Sequence, residues 1–226
     1  MTTPEKHPAT ARFLREAYDR MAERFGPTHW WPGDTPFEIA VGAILTQNTA
    51  WTNVEKAIAN LKRAKLLSPR ALAAADTTAL EEAIRPSGYF RQKAKRLRIF
   101  AEHLLEHYGG RMDRMAKRPL GPLRGELLAL HGIGPETADD ILLYACHKPV
   151  FVVDAYTRRI LSRHGIVPDT IGYEPLRHVF ETHLEPDVQH WQEYHGLIVF
   201  TGKDYCKSHP RCEGCPLQPM LGKGAS

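Results

Sequence analysis

Several small groups of residues in this sequence are of types that do chemistry. Asp154 ends the run FVVD, directly before AYTRRIL. A carboxylate there can cap the following helix by accepting from unpaired backbone N–H groups. The stretch LHGIGPETA sets Gly132 and Gly134 around Ile133, at a joint between two apolar runs. Glycine lets a backbone approach a ligand closely. A helix N-terminus offers free N–H groups and a partial positive charge. A Gly-Ile-Gly turn opening onto a helix can therefore hold a phosphate through main-chain amides. A plain turn between two helices favours glycine as well. Ile133 should point inward and pin the two helices together. The stretch HWWPGDTPFE supplies Trp30, Trp31 and Phe37. Two adjacent tryptophans in a turn are unusual for core packing alone, since neighbouring side chains diverge. The alternative is that one tryptophan is core and the other covers a helix joint. Cys206, Cys212 and Cys215 cluster near the end, and in a reducing compartment such a cluster suggests metal more than disulfide. Cys146, in ILLYAC, reads as a small core residue.

These groups sit in a chain of ordinary composition. Its 226 residues can bury a real core, as one domain or two small ones. The N-terminal stretch lacks the apolar core of a secretory signal, and no apolar run is long enough to span a bilayer. The expectation is a cytoplasmic protein with no membrane partner, and a monomer. Net charge is +4 and the isoelectric point about 8.9. That permits nucleic acid as a partner without demanding it. Distribution says more: Arg85, Arg91, Lys93, Lys95, Arg96 and Arg98 crowd into IRPSGYFRQKAKRLRIF with no acidic residue among them. Arg158, Arg159 and Arg163 form a second group. Both also read as solvated helix faces.

The elements that must position these residues have helical period almost throughout. Helices are expected over 13–25, 36–47 and 52–64, then in SPRALAAA, TTALEEAIRPSG and FRQKAKRLRIFAEHLLEHYGG. LRGELLAL and ETADDILLYAC flank the Gly-Ile-Gly joint. DAYTRRILSRHG starts on an Asp cap, and EPLRHVFETHL and HWQEYHGLIVFTGKDYC complete the set. KPVFVVD is the one strand-like run, and with no partner it reads as an extended connector. The fold class is all-α.

Read together, LLALHGIGPETADDILLYACHKPVFVVDAYTRRILSRHG, AVGAILTQNTAW and RPSGYFRQKAKRL resemble the helix-hairpin-helix DNA glycosylases, the superfamily of endonuclease III. The resemblance covers roughly residues 28–216. It implies two helical subdomains flanking a DNA-binding cleft. The first would span 37–148 and hold the hairpin. The second would be built from 1–36 and 149–226, with a C-terminal cysteine loop. It implies double-stranded DNA with damaged bases as the partner, and base-excision repair as the function.

The resemblance also assigns roles. Asp154 would be the catalytic carboxylate, stabilising an oxocarbenium-like sugar and orienting water. Family members that also cleave the strand carry a lysine two residues after the hairpin's second glycine. Here that position is Glu136, and a carboxylate cannot form an imine. The implied enzyme is monofunctional: it releases a base and leaves an abasic site. Glu136 would border the base pocket, or simply suit the helix dipole as a first-turn acid. The combination with WWP is similar to the bacterial 3-methyladenine glycosylases of endonuclease III type. They pair an aromatic pocket, here Trp30, Trp31 and Phe37, with a missing lysine. N3-methyladenine is cationic, so its glycosidic bond is already weak. Gln47 and Asn48 match the loop that fills the gap left by a flipped base, although Asn48 also suits a helix C-cap. Lys93, Lys95, Arg96, Gly88 with Tyr89, and Gly132, Ile133, Gly134 and Thr137 would meet the DNA backbone.

Endonuclease III relatives often hold a [4Fe–4S] cluster on four C-terminal cysteines. Here Cys206, Cys212 and Cys215 are present, the first spacing is one residue short, and Leu221 stands at the fourth position. Three readings stay open: a cluster with another fourth ligand, a zinc completed by a histidine such as His209, or packing alone. The cluster ranks first. Rival functions are a pyrimidine-damage glycosylase, a lyase using Lys148 or Lys203, and a DNA-binding module without catalysis.

Overall fold

The computed structural model describes residues 7–28, 30 and 33–222, and among them every regular element is helical. The chain divides into two compact units. One takes residues up to Trp30 and from Pro149 onward, and the other is Trp31–Lys148. No helix is long and apolar enough to cross a membrane.

In the second unit, α2 (Pro36–Thr46) is its innermost helix, buried at Phe37, Ala40, Val41, Ile44 and Leu45. Thr35 caps it, its hydroxyl accepting from the Glu38 amide at 3.1 Å, and Pro36 fills the first turn. The preceding residues belong with it: Asp34 and Glu38 both pair with Lys62. That lysine is on α3 (Trp51–Arg63). Two short helices, α4 (Pro69–Ala74) and α5 (Thr77–Ile84), start on Ser68 and Asp76 caps. Then a 3₁₀ turn, Arg85–Ser87, leads through Gly88 and Tyr89 into the long α6 (Phe90–Tyr108). The short α7 (Met112–Met115) was not anticipated from the pattern. The hairpin helices follow: α8 (Leu120–Leu128) and α9 (Pro135–Asp140). After Asp140 the helix widens into a π turn over Ile141–Ala145, closed by Cys146 N donating to the Ile141 carbonyl at 3.0 Å. Sequence periodicity does not distinguish this extra residue per turn, because the whole segment is buried and apolar.

In the first unit, α1 (Pro8–Phe25) begins at Pro8 rather than at Phe13. Its apolar stripe buries Phe13, Leu14, Ala17 and Met21, and it packs on α11 (Tyr173–His183) and α12 (Val188–Asp204). The run Val150–Val153 is extended, has no strand partner, and is fully buried. It ends at α10 (Ala155–Arg163), which packs on α12. Phe151 stacks on Phe180 with ring centroids 4.0 Å apart, and Trp191 and Tyr194 close the core edge-on.

Candidate active site and nucleic-acid interface

In the second unit the hairpin turn is built as its residues demand. Ile133, at the joint between α8 and α9, is buried. Gly132 has φ +85, a region that side chains avoid. A Cβ there would also lie 2.6 Å from Arg96 Cγ. So the backbone turn rides directly on the Arg96 side chain of α6. Gly134 is exposed and open, and it leads into the first turn of α9, where Glu136 is exposed.

Gln47 ties this turn to the end of α2. Its amide nitrogen donates to the Gly132 carbonyl at 3.1 Å and to Thr137 Oγ1 at 2.9 Å. Its carbonyl oxygen accepts from Arg96. Three sequence expectations change here. Gln47 is engaged in bracing the hairpin, so its side chain is not held out toward a partner. Thr137 is buried beneath that contact and does not present its hydroxyl to a phosphate. Arg96 spends its guanidinium on Gln47. Asn48, next in the chain, is exposed with φ +53. It takes the left-handed position that ends a helix, and its side chain is free of the hairpin's hydrogen bonds.

A second turn lies at Gly88 and Tyr89. Gly88 has φ +68, and Tyr89 is itself left-handed at φ +44 while 65% exposed. A bulky residue in that region is strained. The strain is held by Lys93, one turn into α6, which is buried rather than exposed as its basic surroundings suggested. Its ammonium donates to the Leu45 carbonyl at 2.8 Å and to the Ser87 carbonyl at 2.6 Å. Burial, with the charge of Arg96 adding to it, pushes its pKa down to about 8. Lys93 is thus an internal brace between α2 and the Gly88 turn, and not a phosphate contact. Lys95, on the opposite face, is exposed.

Phe37 is another correction. It is buried in the second unit's core, stacked on Phe100 with centroids 6.2 Å apart. It packs and does not line a base pocket. Trp31 lies outside the described residues.

The first unit holds Asp154 and Trp30. Asp154 closes a complete capping box on α10. Its Oδ1 accepts from the Thr157 amide at 2.7 Å and from Thr157 Oγ1 at 2.8 Å. Its own amide donates to Thr157 Oγ1 at 3.2 Å. The cap therefore uses one carboxylate oxygen and leaves Oδ2 to other partners. Oδ2 lies 3.9 Å from Nε2 of His195, on α12. Beside His195, Gly196 lets Trp30 approach the helix closely: a Cβ there would sit 2.5 Å from Trp30 Cβ. The Trp30 ring meets Phe200 edge-on at 5.5 Å, and is half-buried. Gly202 serves Tyr156 in the same way, with its added Cβ only 2.5 Å from Tyr156 Cγ. Small residues on α12 thus bring an aromatic ring close on each side of the helix. Sequence reading did not single out His195. A lone histidine on an apolar helix face is usually core, and only its neighbour Gly196 signalled a close approach.

The cysteine loop is held by α10. Arg159 donates to the Cys206 carbonyl at 2.9 Å, and Arg163 to the carbonyls of Lys207 and Ser208 at 2.7 and 2.8 Å. Arg163 also reaches Cys206 Sγ at 3.3 Å. Leu217 and Met220 are buried and anchor the segment's end. Burial first, and then the neighbouring Cys206 and Cys212, push the Cys215 thiol's pKa up. Among the described residues no group of three or more His, Cys, Asp or Glu side chains is arranged to hold a metal ion. With Leu221 at the fourth position and 44% exposed, the donor set does not fit a four-cysteine cluster.

Comparison with known proteins now decides the family. The profile of the HhH-GPD superfamily of base excision DNA repair proteins matches residues 41–186. The chain belongs to that superfamily. It is 43% identical over 207 residues to a Methanocaldococcus jannaschii protein provisionally named a DNA repair glycosylase, covering 91% of this chain and 94% of that one. It is 32% identical over 206 residues to endonuclease III of Thermotoga maritima, covering 91% and 90%. Among solved structures, the H. pylori 3-methyladenine DNA glycosylase bound to 1,N6-ethenoadenine superposes with a TM-score of 0.73. The two are 31% identical, over 86% of this chain and 97% of that one. The all-helical fold is that of the HhH-GPD superfamily.

Proposed function

We propose that this DNA glycosylase is monofunctional and releases alkylated purines of the 3-methyladenine type from duplex DNA by hydrolysis. The observation that carries the reading is the pair Glu136 and Asp154. The hairpin position where a lysine would form a Schiff base holds a glutamate in the first turn of α9. The carboxylate that supports hydrolysis is present, held by its cap through Oδ1, with Oδ2 outside the cap. Likeness to the H. pylori enzyme supports the substrate class.

The chemistry follows from these groups. Main-chain amides at the Gly-Ile-Gly turn hold a phosphate, and Lys95 adds charge, so binding is sequence-independent. The damaged nucleotide is flipped from the stack, with Asn48 entering the gap. Trp30 offers a π face to the base, and a methylated, cationic adenine is held more strongly than a neutral one. As the glycosidic bond lengthens, positive charge gathers on the deoxyribose. Asp154, held through one oxygen by its cap, stabilises that charge electrostatically. Water then adds at C1′, its proton is lost, and the free base and an abasic site remain. Because the leaving base already carries positive charge, it needs no general acid.

Borohydride trapping tests the absence of a lyase step. Duplex DNA carrying the methylated base, incubated with enzyme and borohydride, should yield no covalent complex, and breaks should appear only after hot alkali. A trapped complex would place an amine, such as Lys148 or Lys203, at the sugar and overturn the monofunctional reading.

A further inference from the structure

Asp154 has a neighbour that the reaction as described does not use. The capping box fixes Oδ1 through Thr157, but a cap alone leaves the carboxylate free to pivot about that oxygen. Oδ2 is the atom that would face the sugar, and His195 Nε2 lies 3.9 Å from it. His195 is buried on α12, between Trp191 one turn before and Ile198 one turn after, both buried. Gly196 brings Trp30 against the same stretch of helix.

We propose that His195 is a positioning residue for Asp154: its Nε2–H closes on Oδ2 when substrate binds, and holds the carboxylate aimed. This inference rests on Asp154 being the catalytic carboxylate. Hydrogen bonds of this kind are commonly long without substrate and tighten in the complex. Burial lowers the imidazole's pKa, while the charge of Asp154 opposes that shift. The ring is therefore neutral at neutral pH and carries one N–H, which the proposal places on Nε2. Asp154, the cap of α10, is a charged group that bears on it. Glu193 of its own helix is engaged with the Thr28 amide at 2.6 Å and hydroxyl at 2.9 Å.

The test compares His195→Leu, His195→Gln and Asp154→Asn with the wild type, on methylated duplex DNA. The leucine removes the donor. The glutamine places an amide N–H near the position of Nε2. His195→Leu should lower kcat about 10- to 100-fold, as for a hydrogen bond to a charged group, with KM unchanged. His195→Gln should restore much of kcat. A leucine variant with wild-type kcat, beside an inactive Asp154→Asn, would overturn this proposal alone. Equal impairment of Leu and Gln would do the same, reducing His195 to packing. A fully active Asp154→Asn would take down both this proposal and the reading of Asp154 beneath it.

Discussion

Replacing Asp154 by asparagine separates its two roles. Asparagine caps a helix as well as aspartate does, and its side-chain oxygen can still accept from Thr157. Stability of Asp154→Asn should therefore stay within about 0.5 kcal/mol of wild type by denaturant unfolding. Base release should fall by about 10²-fold or more, the scale for losing one electrostatic stabiliser. A variant that unfolds early but keeps its rate would make Asp154 a cap and nothing else. The cap was legible in the sequence, because Asp154 stands directly before a helical period. That the cap occupies one oxygen only, with His195 near the other, was not. The contact joins residues 41 positions apart, and no local pattern records it. Trp30 was legible as an aromatic of interest. Phe37 was misread because a phenylalanine at a helix start has the same letter whether it packs or lines a pocket.

The lesson of α6 belongs to elements. Its basic residues looked like one patch, yet Lys93, Leu97, Phe100 and Leu104 form a single buried stripe at spacings of four, three and four. Charge count hid the period that placed Lys93 inside. The opposite face keeps Lys95 in solvent. Lys95→Ala should reduce the salt dependence of DNA binding by about one unit in the log–log slope, while Lys93→Met leaves that slope unchanged. Titrations by fluorescence anisotropy at several salt concentrations measure it. A lowered slope in Lys93→Met would return Lys93 to the DNA surface. The hairpin itself was well marked by Gly132 and Gly134. Its bracing by Gln47 and Arg96 was hidden, since those residues lie on α2's end and on α6, far away in sequence.

At the scale of the whole molecule, the described fold agrees with the all-helical reading. The differences fall where burial overrides pattern, as in the π turn over Ile141–Ala145. Burial also sets the molecule's pH response. His164, His190 and His195, all in the first unit, have pKa values lowered chiefly by desolvation. The folded chain keeps them neutral, while the unfolded chain protonates them near the ordinary value of about 6.5. Their contribution is thus fully present above that pH and is lost as pH falls through it. The melting temperature should drop between pH 7.5 and about 5.5, followed by circular dichroism. A flat profile would mean these imidazoles are hydrated in the native state.

Base release from methylated duplex DNA bears most directly on the central claim. Purified protein would be incubated with DNA treated with a methylating agent, and the released bases separated by chromatography. The account predicts free 3-methyladenine from the wild type and none above background from Asp154→Asn. Intact methylated DNA after wild-type incubation would contradict it, and would direct attention to oxidised or deaminated bases.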